Sequence, residues 1–246
     1  MQLNCDLGES FGSWDMGLDE QVMPHIHQAN IATGFHAGDP VTIHRTLQLA
    51  ARHNVTVGAH PAYPDLVGFG RRSMRCSHEE IVASVLYQIA ALDGMAASCG
   101  VKMRYVKPHG ALYNDMMAMG TVRAAIFEAI ASYHRPLIYM LQATPEQDLH
   151  RAEAAAANVE VWFEAFADRC YDDQGALLAR SQPGAVHNQE RMLAQVRQIC
   201  SSATVTTVSG ATLPMVADTL CVHGDNPAGV QAIREIRALV DAQRQV

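Results

Sequence analysis

The chain has 246 residues, 49% of them hydrophobic and 17% charged, with a formal net charge of -7. This length is sufficient for one large α/β domain with a substantial core. The acidic balance argues against a nucleic-acid or anionic-membrane partner, and the 6% of aromatic residues argues against a base-stacking surface. We expect no signal peptide and no membrane span. Six scattered cysteines without a C-x-x-C pair predict reduced thiols in a cytoplasmic protein.

Apolar segments that suit buried strands alternate with segments of helical periodicity along the chain. Strands are predicted at 2–7, 29–33, 56–59, 102–107, 137–141, 159–166 and 219–222, with an extra strand or hairpin arm at 204–208. Helices are predicted at 41–53, 77–100, 121–133, 188–201 and 227–243, with a further Ala-rich helix opening at 144–147. Such alternation indicates parallel strands with helical crossovers, and the length favours a single (β/α) barrel domain over residues 1–246.

Several helix starts carry capping signals. Asp39 precedes Pro40 and is expected to cap the helix that follows it. Ser77 with Glu80, and the segment 144–147 with its proline, each fit a capping box. By contrast, the first strand is not followed by G-x-G-x-x-G, and the sequence contains no G-x-x-x-x-G-K-[ST] motif. Dinucleotide and P-loop sites are therefore poorly supported.

Polar residues collect where the predicted strands end. In α/β barrels the active site lies at these carboxyl ends, so we expect the residues to share one mouth. They are Asp6, Glu9, Asn30, His36, Asp39, His60, Asp65, Arg71, Arg72, Lys107, His109, Asn114, Glu164, Asp168, Arg169, His223 and Asp225.

Two kinds of chemistry suit the strand-end histidines. Asp6, His60 and His109 could hold a divalent metal through two imidazoles and one carboxylate, with His36 as a substitute. Alternatively, histidines and carboxylates could move protons without a metal, while Lys107 and an arginine bind an anionic substrate. No compact H-x-x-x-H or H-E-x-x-H run favours the metal, so the residues leave both uses open.

Six motifs resemble the LamB/YcsF family, in order and essentially end to end. They are NCDLGESFG (4–12), ANIATGFHAGDP (29–40), GAHPAYPDLVGFGRR (58–72), VKPHGALYN (106–114), EAFADRCY (164–171) and CVHGD (221–225). The chain departs from the family pattern at Thr33, where cysteine is common, and around 172–175. The resemblance implies an irregular (β/α)7 TIM-like barrel similar to the glycoside hydrolase/deacetylase superfamily.

The resemblance also implies ATP-dependent 5-oxoprolinase activity, in which the 5-oxo-L-proline ring is opened to L-glutamate. Partner subunits B and C are expected to use the ATP and phosphorylate the lactam. The alternatives are a stand-alone metal-dependent deacetylase or amidohydrolase and a non-catalytic subunit for substrate delivery. A homo-oligomer stays open.

With this chemistry, each strand-end residue receives an expected role. Asp6, His60 and His109 are expected to activate water, with or without a divalent metal bound by the same three side chains. Glu9 joins the catalytic set, and Glu164 is expected to donate a proton. The predicted substrate-binding residues are Asn30, His36, Arg71, Lys107 and Arg169.

Overall fold

A computed structural model describes residues 1–224 and 227–243 of the chain. Seven parallel strands close a barrel in the order β1-β2-β3-β4-β5-β6-β9, because β9 pairs with both β6 and β1. The predicted TIM-like α/β barrel is therefore confirmed. The strands are β1 (Gln2–Leu7), β2 (Gln28–Ala32), β3 (Thr56–His60), β4 (Met103–Val106), β5 (Ile138–Gln142), β6 (Val161–Phe166), β7 (Thr204–Thr206), β8 (Thr212–Pro214) and β9 (Thr219–His223).

Helices cover the outside of the barrel. They are α1 (Asp19–Val22), α2 (Pro40–His53), α3 (His78–Ser98), α4 (Gly110–Ala118), α5 (Gly120–Ala131), α6 (Gln147–Ala157), α7 (Gln189–Ser202) and α8 (Pro227–Gln243), with a 3-10 turn at Met23–His25. The sequence predicted all of the long helices to within a few residues. It did not predict α1, α4 or β8, which forms an antiparallel hairpin with β7.

The helix caps follow the sequence at two of three places. The Asp39 carboxylate accepts from the backbone N–H groups of Val41 and Thr42, and Ser77 with Glu80 forms the expected capping box. The capping box predicted at 144–147 is wrong. The first residue of α6 is Gln147, and the Thr144 hydroxyl instead accepts from the backbone N–H of Glu146 within the preceding turn. Thr144 thus stabilises the turn rather than the helix.

By length and composition alone, α3 could span a membrane. In the barrel, however, its residues Ile81, Val85, Ile89 and Leu92 are buried against the core. A core helix of a barrel meets the same criterion, so this helix is weak support for a membrane location.

Polar side chains occupy the inside of the barrel. Asn4 donates to the Thr219 hydroxyl, Asn30 donates to Asn4, and the Tyr105 hydroxyl donates to Asn30 over 2.6 Å. Thr219 in turn donates to Gln28. Because buried hydrogen-bonded side chains hold one another in place, this network gives the residues above it at the barrel mouth a rigid base.

Gly58 in β3 gives the Tyr105 ring its place inside the barrel. A Cβ at position 58 would clash with three carbon atoms of that buried ring. We therefore expect Gly58→Ala to lower the free energy of unfolding by about 1–3 kcal/mol through overpacking. Chemical denaturation measures this change.

The matched control is Gly94→Ala in α3, where an added Cβ meets nothing within 4 Å. It is expected to stabilise the helix by up to ~1 kcal/mol, because alanine has the higher helix propensity. Equal effects of the two substitutions would contradict the packing of Tyr105 against Gly58.

Candidate functional site

A cavity of about 250 Å³ opens at the carboxyl ends of the barrel strands. This volume lies below the ~300–1,000 Å³ typical of sites for drug-sized ligands, so the cavity suits a small metabolite. Its polar lining comes from Asp6, Glu9, His60, Arg71, Lys107, His109, Tyr113, Asn114, Arg169, Arg180 and His223. Phe69, Phe166 and Leu178 are among its apolar lining residues.

Asp6, at the end of β1, is fixed by two donors on one oxygen. Its Oδ1 accepts from Asn30 Nδ2 at 2.7 Å and from Lys107 Nζ at 2.9 Å. Its Oδ2 lies 3.4 Å from His60 Nε2. Burial on its own would raise the pKa of Asp6, but the charges of His60 and Lys107 outweigh it and hold this pKa well below its usual range. The carboxylate is therefore ionised.

Lys107 follows β4 and joins two buried carboxylates. Its Nζ lies 2.9 Å from Asp6 Oδ1 and 3.1 Å from Glu164 Oε2. Burial alone would lower the pKa of Lys107, but Asp6, Cys221 and Glu164 together raise it well above its ordinary value. Burial raises the pKa of Glu164. The ammonium group is therefore held charged at the base of the cavity.

His60 and His109 form a pair whose tautomers are set by backbone carbonyls. His60 Nδ1 lies 2.6 Å from the Lys107 carbonyl oxygen, and His109 Nε2 lies 2.9 Å from the Phe69 carbonyl oxygen. A carbonyl only accepts, so both of these nitrogens carry protons. The remaining nitrogens, His60 Nε2 and His109 Nδ1, then face each other over 3.0 Å. In neutral rings both would present lone pairs, which repel at this distance unless a positive species lies between them.

Glu9 and His36 complete a compact group with this pair. His36 Nε2 lies 3.2 Å from Glu9 Oε1, and His109 Nδ1 lies 3.6 Å from the same oxygen. The ring of His36 stacks on that of His109 with centroids 3.8 Å apart. Burial lowers the pKa of both His36 and His109, so these rings are neutral near pH 7.

The four side chains each offer one ligand atom, and these atoms all lie within 4.8 Å of one another. The residues could therefore hold a metal ion. The sequence predicted Asp6 as the carboxylate of such a set with His60 and His109. Among the described residues, Glu9 is the carboxylate grouped with both histidines, because Asp6 is engaged by Asn30 and Lys107.

His223, at the end of β9, is held by Asp168. Both carboxylate oxygens of Asp168 lie within 3.1 Å of His223 Nδ1, so this nitrogen carries a proton. The other nitrogen, Nε2, lies 3.9 Å from Asp6 Oδ2, and the ring stacks on Phe166. Asp168 is fully buried, whereas His223 lines the cavity. This arrangement fits a histidine whose positive form is stabilised by a carboxylate.

Three arginines surround the outer part of the cavity. Arg71 lies over the Phe69 ring, with 4.8 Å from its Cζ to the ring centroid. Arg169 donates to the carbonyl groups of Leu178 and Ala185 and so fixes the loop that carries Arg180. Burial, followed by the charge of Arg180, lowers the pKa of Arg169, with a smaller contribution from Arg71. Guanidinium groups close enough to repel one another favour an anion in this part of the cavity.

The structure separates the predicted site residues into two groups. Those that line the cavity are Asp6, Glu9, His60, Arg71, Lys107, His109 and Arg169. Asn30 and Glu164 are fully buried beneath Asp6 and Lys107, which corrects their expected contacts with substrate. His36 lies in the stacked histidine group, and its expected substrate contact is also corrected.

Two cavity residues had no role assigned from the sequence. His223 was recognised only as a strand-end residue, and its pairing with Asp168 depends on a contact across 55 positions in the chain. Arg180 lies in an irregular segment without periodicity, so no sequence signal pointed to it. Asp225, another strand-end residue of the predicted set, lies outside the described residues.

Comparisons with known proteins give a consistent result. The model of the LamB/YcsF family matches residues 1–246. A Pseudomonas putida (strain KT2440) protein named as the second A-type chain of 5-oxoprolinase is 54% identical over 240 residues, which cover 97% of this chain and 93% of that protein. A Chromohalobacter salexigens protein named as the A chain of 5-oxoprolinase is 51% identical over 240 residues, covering 97% and 96%.

Among solved structures, the lactam utilization protein from Thermus thermophilus superimposes with a TM-score of 0.89. It is 38% identical in sequence, and the match covers 98% of this chain and 97% of that one. The barrel and its loops therefore follow a known arrangement along nearly the whole chain.

Proposed function

The chain belongs to the LamB/YcsF family, and on this basis we propose that it acts as the A component of ATP-dependent 5-oxoprolinase. In this role its barrel mouth opens the ring of 5-oxo-L-proline after activation. The observation that carries the proposal is the meeting of the His60–His109 pair, the Asp6–Lys107 pair and the His223–Asp168 pair around one small cavity.

A five-membered lactam needs activation because its amide is stabilised by resonance. Subunits B and C would supply it by transferring the γ-phosphoryl group of ATP to the lactam oxygen, which makes the carbonyl carbon electrophilic. The first water adds to that carbon, the C–N bond breaks, and an acyl phosphate with a free amine results. A second water then gives L-glutamate and phosphate. The sequence has no P-loop of its own, which agrees with ATP use by the partners.

Asp6, His60 and His109 are the residues that would activate the attacking water. The facing nitrogens of the two histidines call for a positive species between them, either a proton or a metal ion. Asp6, 3.4 Å from His60 Nε2, stabilises that charge. Lys107 keeps Asp6 ionised and places a further positive charge below the oxygen on which negative charge develops.

His223 is the better proton donor to the ring nitrogen than Glu164. Glu164 is fully buried beside Lys107, whereas His223 lines the cavity and has its positive form stabilised by Asp168. A histidine held by a carboxylate is a common general acid. The leaving nitrogen would take its proton from His223 Nε2.

Arg71 and Arg180 would bind the anionic groups of the substrate. 5-Oxoproline carries a carboxylate, and its activated form carries a phosphate as well. Guanidinium groups bind both in a bidentate manner. Arg169 supports this grip indirectly, because it fixes the loop on which Arg180 lies. The ATP-dependent reaction and the six free cysteines favour a cytoplasmic location.

Reconstitution tests this function against the alternatives. The purified chain is combined with subunits B and C, 5-oxo-L-proline and ATP, and glutamate is measured with each component left out in turn. We expect glutamate only when all are present. Activity of the chain alone, without ATP and abolished by chelation, would instead identify a stand-alone amidohydrolase. Unchanged turnover after removal of the strand-end carboxylates would identify a substrate-delivery role.

A further inference from the structure

The group formed by Glu9, His36, His60 and His109 has the dimensions of a metal site. Three distances between its ligand atoms are 3.0 Å for His60–His109, 3.2 Å for His36–Glu9 and 3.6 Å for His109–Glu9. A tetrahedral zinc ion with bonds of about 2.0–2.2 Å separates its ligands by roughly 3.3–3.5 Å. The measured distances bracket this range, so an ion fits among the four side chains with small movements.

The surroundings also prepare two of the ligands. The carbonyl oxygens of Lys107 and Phe69 hold the outer ring protons of His60 and His109, so His60 Nε2 and His109 Nδ1 point inward with their lone pairs. Histidine ligands of metals are oriented by such contacts in the same way. A cation between these nitrogens removes the repulsion of two lone pairs 3.0 Å apart.

We propose that Glu9, His36, His60 and His109 bind one divalent cation of the zinc class. Three imidazole nitrogens and one carboxylate oxygen form a borderline donor set, which suits zinc and excludes magnesium and calcium, since these prefer oxygen ligands. All four residues are at most 6% exposed, so the site is shielded from bulk water.

The position of the ion gives it a role in the reaction. Glu9, His60 and His109 line the cavity, so a water there can reach the ion as an additional ligand. Zinc lowers the pKa of a bound water to about 7. The binding of the ion stands on geometry alone, and only its part in ring opening rests on the proposed function.

Metal binding can be measured on the full chain without any turnover assay. The metal-free chain is titrated with Zn²⁺ and with Co²⁺, and stoichiometry, affinity and the visible absorption of the cobalt form are recorded. We expect about one ion per chain and the absorption of tetrahedral cobalt. Glu9→Gln and His36→Gln are each expected to weaken binding at least ~100-fold.

The control is His150→Gln, because His150 is also buried but bonds to Glu153, away from the cavity. It is expected to bind the ions as the unmodified chain does. Lack of stoichiometric uptake would overturn the proposal, and so would uptake that folded Glu9→Gln and His36→Gln chains retain in full. Because ion binding is read directly, this result is independent of whether glutamate forms in the reconstituted complex.

Discussion

Replacing Asp6 by asparagine is expected to lower glutamate formation by the reconstituted complex ~100–1,000-fold. Asparagine keeps the shape of the side chain but removes the negative charge that faces His60 and balances Lys107. Without that charge, the positive species held by the histidine pair is no longer stabilised when water is activated. The measurement is the steady-state rate of glutamate formation at saturating ATP and 5-oxoproline.

Asp93→Asn serves as the matched control, because Asp93 lies in α3 and pairs with Arg135 away from the cavity. Its rate should equal that of the unmodified chain. The loss of a buried charge partner for Lys107 also makes thermal unfolding a necessary companion measurement. A folded Asp6→Asn chain with more than half of the normal rate would remove Asp6 from the mechanism.

Replacing His223 by glutamine is expected to lower the same rate ~100–10,000-fold, because the ring nitrogen then leaves without a positioned proton donor. Asp168→Asn should also lower the rate, since the amide no longer stabilises the positive form of His223. The rate is measured as a function of pH. In the His223→Gln chain we expect the rate to rise as the pH falls, because solvent acid then substitutes for the histidine.

His150→Gln is again a suitable control, as its ring is buried away from the cavity lining. If the pH profile of the His223→Gln chain had the same shape and height as that of the unmodified chain, proton donation would have to come from another residue. Tyr113, which also lines the cavity, would be the next residue to test.

Much of the fold could be predicted from the sequence because its signals are local. The apolar strands, the helical periodicity of α3 and the Asp39 cap each depend on residues close together in the chain. The order of seven parallel strands follows from their alternation with helices. The failure at Thr144 arose because a hydroxyl near a helix start can bond to a turn as easily as to the helix itself.

The site was only partly predictable because its geometry depends on distant contacts. Strand ends located Asp6, His60 and His109 at one mouth, but not which carboxylate joins the two histidines. Glu9 joins them from the loop that follows β1, and its contact with His109 spans 100 positions of sequence that no local pattern connects. Likewise, nothing near Asn30 or Glu164 in the sequence indicates that each lies one layer below the cavity, bonded to Asp6 or Lys107.

The position of a bound lactam tests the central claim most directly. We expect a crystal structure of the chain with 5-oxo-L-proline to show the ligand in the cavity at the barrel mouth. Its carbonyl carbon should lie between the His60–His109 pair and His223, and its carboxylate should contact Arg71 or Arg180. A lactam bound elsewhere on the chain, or turned so that its carbonyl faces away from both histidine groups, would contradict the account.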